Sequence, residues 1–135
     1  MSDIPYIARV PVRPPDDAVD LKVVEGLREL GRIANRDLLS ELAVLILDGA
    51  PKRIAEMKSA IETGNASALA AAAHALRGSA GNLGIVGLAG LCELIERKTG
   101  DGRLSDCGPT LESASAELAR VTPWLESLRA PAPRG

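Results

Sequence analysis

The chain has 135 residues, 46% of them hydrophobic, with 16 basic and 18 acidic side chains and a formal charge of −2. That length suits one domain, the balanced charge offers no basic surface for nucleic acid, and no apolar run reaches the roughly 18 residues of a membrane span. Phe is absent and Tyr6 and Trp124 are the only aromatics, so the core must be built from Leu, Ile, Val and Ala, a composition that favours helices over sheets.

Residues 1–17 carry Pro5, Pro11, Pro14 and Pro15, which prevent a regular helix and predict a flexible lead-in. The start has no apolar segment of signal-peptide length, so the expected location is cytoplasmic. The first helix is predicted from Asp17 to Leu30, with Leu21, Val24, Leu27 and Leu30 as its apolar stripe and Gly31 as its stop. The second begins near Asn35 as N-cap and turns Leu38, Leu39, Leu42, Leu45, Ile46, Ile54, Met57 and Ile61 inward. Pro51 is expected to kink or split it. Gly64 and Asn65 read as the end of that helix and the N-cap of the next. The third helix spans Ala66 to about Asn82, with Leu69, Ala73, Leu76, Ala80 and Leu83 buried. A fourth, from about Val86 to Lys98, turns Leu88, Leu91, Cys92 and Ile95 inward and ends at Gly100 and Gly102. The last starts near Pro109 as its first residue, runs through Leu111, Ala114, Leu118, Val121 and Leu125 toward Leu128, and should bend at Pro123. Residues 130–135 read as a disordered tail, leaving 18–129 as the folded domain. Helices of this length on short connections predict an all-α fold, an antiparallel bundle.

Cys92 and Cys107 lack the spacing and partners of a metal site and read as two reduced thiols, Cys92 as a small core residue. One residue stands out chemically. His74 is the sole histidine, five positions after Leu69, which turns it about 140° from that core residue and toward solvent. Its neighbours one turn away are Ala70 and Ala71 before it and Arg77 and Gly78 after it. A solvated helix face normally carries Glu, Lys and Gln. Gly78 and Gly81 instead each cost about 1 kcal/mol of helix propensity. Bare residues around one imidazole, with one cation beside it, suggest a platform that another protein approaches closely and where Arg77 meets an anion.

The run His74-Ala75-Leu76-Arg77-Gly78-Ser79-Ala80, followed by Asn82-Leu83-Gly84, resembles the signature of histidine-containing phosphotransfer (HPt) domains. That pattern is His, any residue, Leu, Lys or Arg, Gly and two small residues, with a Leu-Gly pair a few positions on. Leu88, Leu91, Cys92, Leu94 and Glu96 resemble the family's following helix. The resemblance covers roughly residues 20–128 and is dense over 70–96. It implies an antiparallel four-helix bundle with an additional N-terminal helix, in agreement with the five helices read above, whose histidine accepts a phosphoryl group from the aspartate of one receiver domain and donates it to another, with no ATP-dependent kinase activity of its own. His74 would be the accepting residue, and Arg77, Gly78, Ala70, Ala71 and Gly81 would face phosphate or partner. The implied partners are response-regulator receiver domains, including those of hybrid sensor histidine kinases, and the proline-rich start also suits a linker from a larger protein. No cofactor of its own is implied, because the receiver supplies Mg²⁺. Two other readings compete with this one. A histidine kinase dimerisation domain needs glycine-rich ATP-binding elements that do not follow here. A helical module that docks on receivers or another protein without phosphotransfer remains the alternative.

Overall fold

The computed structural model describes residues 13–129. Its elements in order are α1 (Leu21–Ala34), α2 (Leu38–Thr63), α3 (Ala66–Asn82), α4 (Val86–Gly100), a short 3₁₀ turn (Leu104–Asp106) and α5 (Cys107–Leu128). Among the described residues there is no strand. Helix α3 packs between α2 and α4, and α5 closes the ring against the same two helices, which makes a four-helix bundle. The short links between successive helices set neighbours antiparallel. Helix α1 lies outside the ring, chiefly on α2. The fold expected from the sequence is the one observed.

The connections show why the chain turns where it does. Asp20, Asp37 and Asn65 each cap a helix start, accepting from the backbone N–H of Lys22, Ser40 and Ala68. Four helices end in the same pair of hydrogen bonds. At the end of α1, Arg36 N–H reaches the Gly31 carbonyl at 2.8 Å and Asn35 N–H reaches that of Arg32 at 3.3 Å. The same pair of bonds closes α2 around Gly64, α3 around Gly84 and α4 around Gly102. At Gly84 the backbone leaves no choice of residue. Its φ is +75°, and a Cβ there would lie 2.9 Å from the Asp20 carbonyl oxygen. That close approach carries a bond from Asp20 N–H to the Gly84 carbonyl, 2.7 Å, which ties the start of α1 to the α3–α4 turn.

Several expectations are corrected at the helix ends and at the prolines. Gly31 does not stop α1, which runs on to Ala34. The chain folds back toward α2 over Gly31 and buries it, and a Cβ there would sit 2.5 Å from the Arg36 carbonyl oxygen. Asn35 is not an N-cap; it holds φ 56° at the end of α1, and Asp37 caps α2. Pro51 does not split α2, which is continuous from Leu38 to Thr63. The inward residues on both sides of it, Ile46, Ala50, Met57 and Ala60, are all buried in the one core. Helix α5 runs unbroken through Pro123 and starts two residues before Pro109. The proline still falls in the first turn, where its missing N–H has no intrahelical acceptor.

The core is aliphatic, as the composition requires. Leu69, Ala73, Leu76 and Ala80 of α3 and Leu83 at its C-cap are 0–1% exposed, and Leu88, Cys92 and Ile95 of α4 face them fully buried. Leu91 and Leu118 are only half-buried at the periphery. Leu21, Leu30 and Leu45, expected inside, are exposed by 56%, 54% and 65%. Helix α1 docks through Val24, Leu27 and Gly31 instead, so Leu21 and Leu30 fall off its contact stripe. Leu45 is turned about 100° from its buried neighbour Ile46. Trp124 fills the core at 4% exposure, and both cysteines are free and buried. Residues 1–12 and 130–135, most of the expected lead-in and the whole expected tail, lie outside the described residues. Asp17, at the lead-in's end, bonds Arg120 of α5 at 2.8 Å, which holds its carboxyl below the usual carboxylate range. No described helix is long and apolar enough to cross a membrane.

Candidate functional site

The site stands on the outer face of α3, midway along the bundle. With Leu69, Ala73, Leu76 and Ala80 buried against α2 and α4, the opposite face of the same helix must point outward. His74 lies on it with 69% of its side chain exposed. Ala71, Gly78 and Gly81 are exposed around it, and Ala70 and Arg77 are half-buried at its edges. Helical geometry places all six within about 60° of the His74 direction. The two glycines open directly on solvent, since a Cβ added at Gly78 or Gly81 would meet nothing within 4 Å. The structure therefore brings together every residue the sequence singled out.

It also adds one. Glu96 reaches across from α4, and its Oε1 lies 3.1 Å from Nδ1 of His74. Arg77 completes the group, with Nη2 3.1 Å from the same Nδ1 and Nε 2.7 Å from Glu96 Oε2. The latter contact is an ion pair with the N–H turned aside, because the buried Oε2 has no aligned hydrogen-bond donor. The Glu96 side chain is 23% exposed, far less than the histidine it faces. It rises four residues after Cys92, whose buried thiol is pushed up to about 12, first by burial and then by the Glu96 carboxylate, with Arg77 acting in the opposite sense. Cys92 thus stays protonated beneath the site as packing.

Sequence reading passed over Glu96 as a site residue because it is 22 positions from His74. The available signal was its place on α4. It follows Ile95 directly and Cys92 by one turn, so it borders the stripe that packs on α3, an unusual position for a carboxylate with no partner on its own helix.

Chemically, the face offers one nucleophilic nitrogen to solvent, one cation that can meet an anion, and no side chain tall enough to keep a partner away. Residues 41–130 match the family model of the Hpt domain. The chain belongs to the Hpt domain family and is a histidine phosphotransfer protein of a phosphorelay. Its fold is similar to the crystal structure of histidine-containing phosphotransfer protein B (HptB) from Pseudomonas aeruginosa PAO1, with a TM-score of 0.72 and 27% identity over 83% of this chain and 94% of that one. A comparison with curated proteins found no match. Hpt domains are phosphorelay components that interact with receiver domains.

Proposed function

We propose that His74 is the residue that carries the phosphoryl group, taking it from a receiver-domain aspartate and passing it to the aspartate of another receiver. The observation that carries this reading is the exposed imidazole on a face of alanine and glycine, with Arg77 in contact with the ring. A neutral imidazole is the required nucleophile, and an ordinary histidine is largely neutral near pH 7. Phosphoryl transfer asks mainly for positioning and charge stabilisation. Arg77 supplies a charge-assisted contact to the phosphoryl oxygens. Ala70, Ala71, Gly78 and Gly81 leave room for the rim of the receiver's acidic pocket. The receiver brings the Mg²⁺ and the acceptor carboxylate, so this chain needs no cofactor of its own. The receiver of a hybrid sensor histidine kinase is a fitting upstream partner, since such a domain ends in the same aspartyl phosphate.

The decisive experiment incubates the chain with a receiver carrying labelled aspartyl phosphate. Transfer predicts that label moves to this chain and then to a second, unlabelled receiver. Stable binding with no label on this chain would leave a docking module without phosphotransfer.

A further inference from the structure

The residues just before α1 are fastened to the bundle at three points. Asp17 Oδ1 pairs with Arg120 Nη2 of α5 at 2.8 Å. The Gly87 N–H of α4 donates to the Ala18 carbonyl at 3.3 Å, and the Asp20 N–H donates to the Gly84 carbonyl at 2.7 Å. Between these contacts Ala18 and Val19 are buried, although they belong to no helix. Glycine is needed on the receiving side. A Cβ at Gly84 would strike Asp20 and Val23, and one at Gly87 would strike the Glu117 carboxylate, which Arg120 also holds. Helix α1 adds little to this fastening. It buries only Val24 and Gly31. Its ion pairs, Arg28 with Glu25 and Arg32 with Glu29, lie within the helix and support it equally when it is undocked. At its far end Asn35, Arg36 and Asp37 are the whole link to α2.

We propose that residues 17–20 and α1 form a clasp that opens and closes as one unit on an intact four-helix ring, with the Asp17–Arg120 pair as its catch, and that its closure orders the end of α3 beside His74. The effect on transfer rests on the reading of His74 as the phosphoryl carrier. The coupling runs through Gly84. After His74, α3 carries Gly78 and Gly81, both open to solvent, and glycine makes its last turn intrinsically weak. That turn is closed by the Ile85 N–H on the Ala80 carbonyl at 2.9 Å and by the Gly84 N–H on the Gly81 carbonyl at 3.0 Å. The Asp20 bond to the Gly84 carbonyl grips the same loop from outside. When the clasp opens, that grip is lost and the last turn of α3 loosens, while the turns before it stay packed between α2 and α4. Opening also uncovers Trp124, which is 4% exposed and lines the groove beneath α1 with Leu21, Val24 and Leu39.

Amide hydrogen exchange on the full chain reads the clasp directly. In the wild type the amides of α1 should share one opening equilibrium, well above that of the buried turns of α3, α4 and α5. Asp17→Asn removes the charge from the catch and should raise exchange across α1 and residues 79–84 several-fold, with no change in α5 or in residues 68–76. Val24→Ala removes the anchor of α1 itself and should do the same by roughly tenfold. Protection of the ring amides shows that both variants remain folded. Trp124, the chain's sole tryptophan, gives a second reading. Its emission should change at lower urea than the helical signal is lost, and at lower urea still in Asp17→Asn. The double variant populates the open form, and its phosphoryl uptake from a phosphorylated receiver should fall several-fold with the ring still protected. Amides of α1 that exchange only with the whole bundle would overturn the proposal, as would unchanged α1 exchange in Asp17→Asn. Uptake at the wild-type rate in the double variant, with α1 open, would overturn the coupling to α3. Absence of uptake by the wild type would instead count against the carrier reading, while the exchange pattern still tests the clasp.

Discussion

Helices α1 and α3 carry similar signals in sequence and meet different fates in the fold. Both show leucines at helical spacing. Those of α3 are buried to the last atom, whereas Leu21 and Leu30 of α1 stand more than half exposed. The difference lies in the number of neighbours. Helix α3 sits between α2 and α4, so its whole apolar stripe has somewhere to go, and what remains on the outside is a narrow face. Helix α1 rests chiefly on α2 and needs only Val24, Leu27 and Gly31 for contact. Apolar periodicity thus identifies a helix reliably but identifies its buried face only when partners surround it. The functional face is defined by the same logic. His74 projects outward because the opposite side of α3 is so completely packed.

This contrast yields tests in descending size. Leu76→Ala should cost about 2–5 kcal/mol, read by thermal or urea unfolding, because a fully buried leucine leaves a cavity. Leu30→Ala should stay within about 0.5 kcal/mol of wild type. Equal effects at the two positions would break the comparison. Within α3, Arg77→Ala should slow phosphoryl transfer from a receiver about tenfold, the value of one charge-assisted contact of about 1–2 kcal/mol, while leaving the melt nearly unchanged. A wild-type rate would make Arg77 ordinary surface. The smallest effect is the sharpest in sign. Gly78 faces open space, so Gly78→Ala should raise stability by up to about 1 kcal/mol. Phosphotransfer should fall in the same variant and fall further in Gly78→Gln, whose side chain stands between the imidazole and an approaching receiver. Full activity in Gly78→Gln would refute the role of bare surface.

Much of this was legible in the sequence, and the failures have physical causes. The five helices, the Gly64–Asn65 junction and the Gly84 turn follow from local chemistry, because caps and left-handed closures are set by residues within one turn of each other. His74 was placed outward from its spacing to Leu69 alone. Asn35 was misplaced because asparagine serves both helix starts and left-handed ends, and only the neighbouring Asp37 decides between them. Gly31 reads as a terminus in the sequence because the cause of its glycine, the approach of the Arg36 carbonyl, comes from a turn that lies outside the helix itself. Glu96 matches the family's following helix in sequence, but its place in the site is not legible there for a related reason. Its contact with His74 depends on how α3 and α4 are set side by side, which no spacing within either helix encodes.

The central claim is that the exposed imidazole of α3 carries the phosphoryl group. The most direct measurement loads wild-type chain and His74→Gln from the same phosphorylated receiver and follows acid-labile, base-stable label. Since His74 is the chain's sole histidine, wild type should take up label and His74→Gln, with an unchanged helical spectrum and melt, should take up none. Acid-labile, base-stable label on the folded His74→Gln variant would contradict the account.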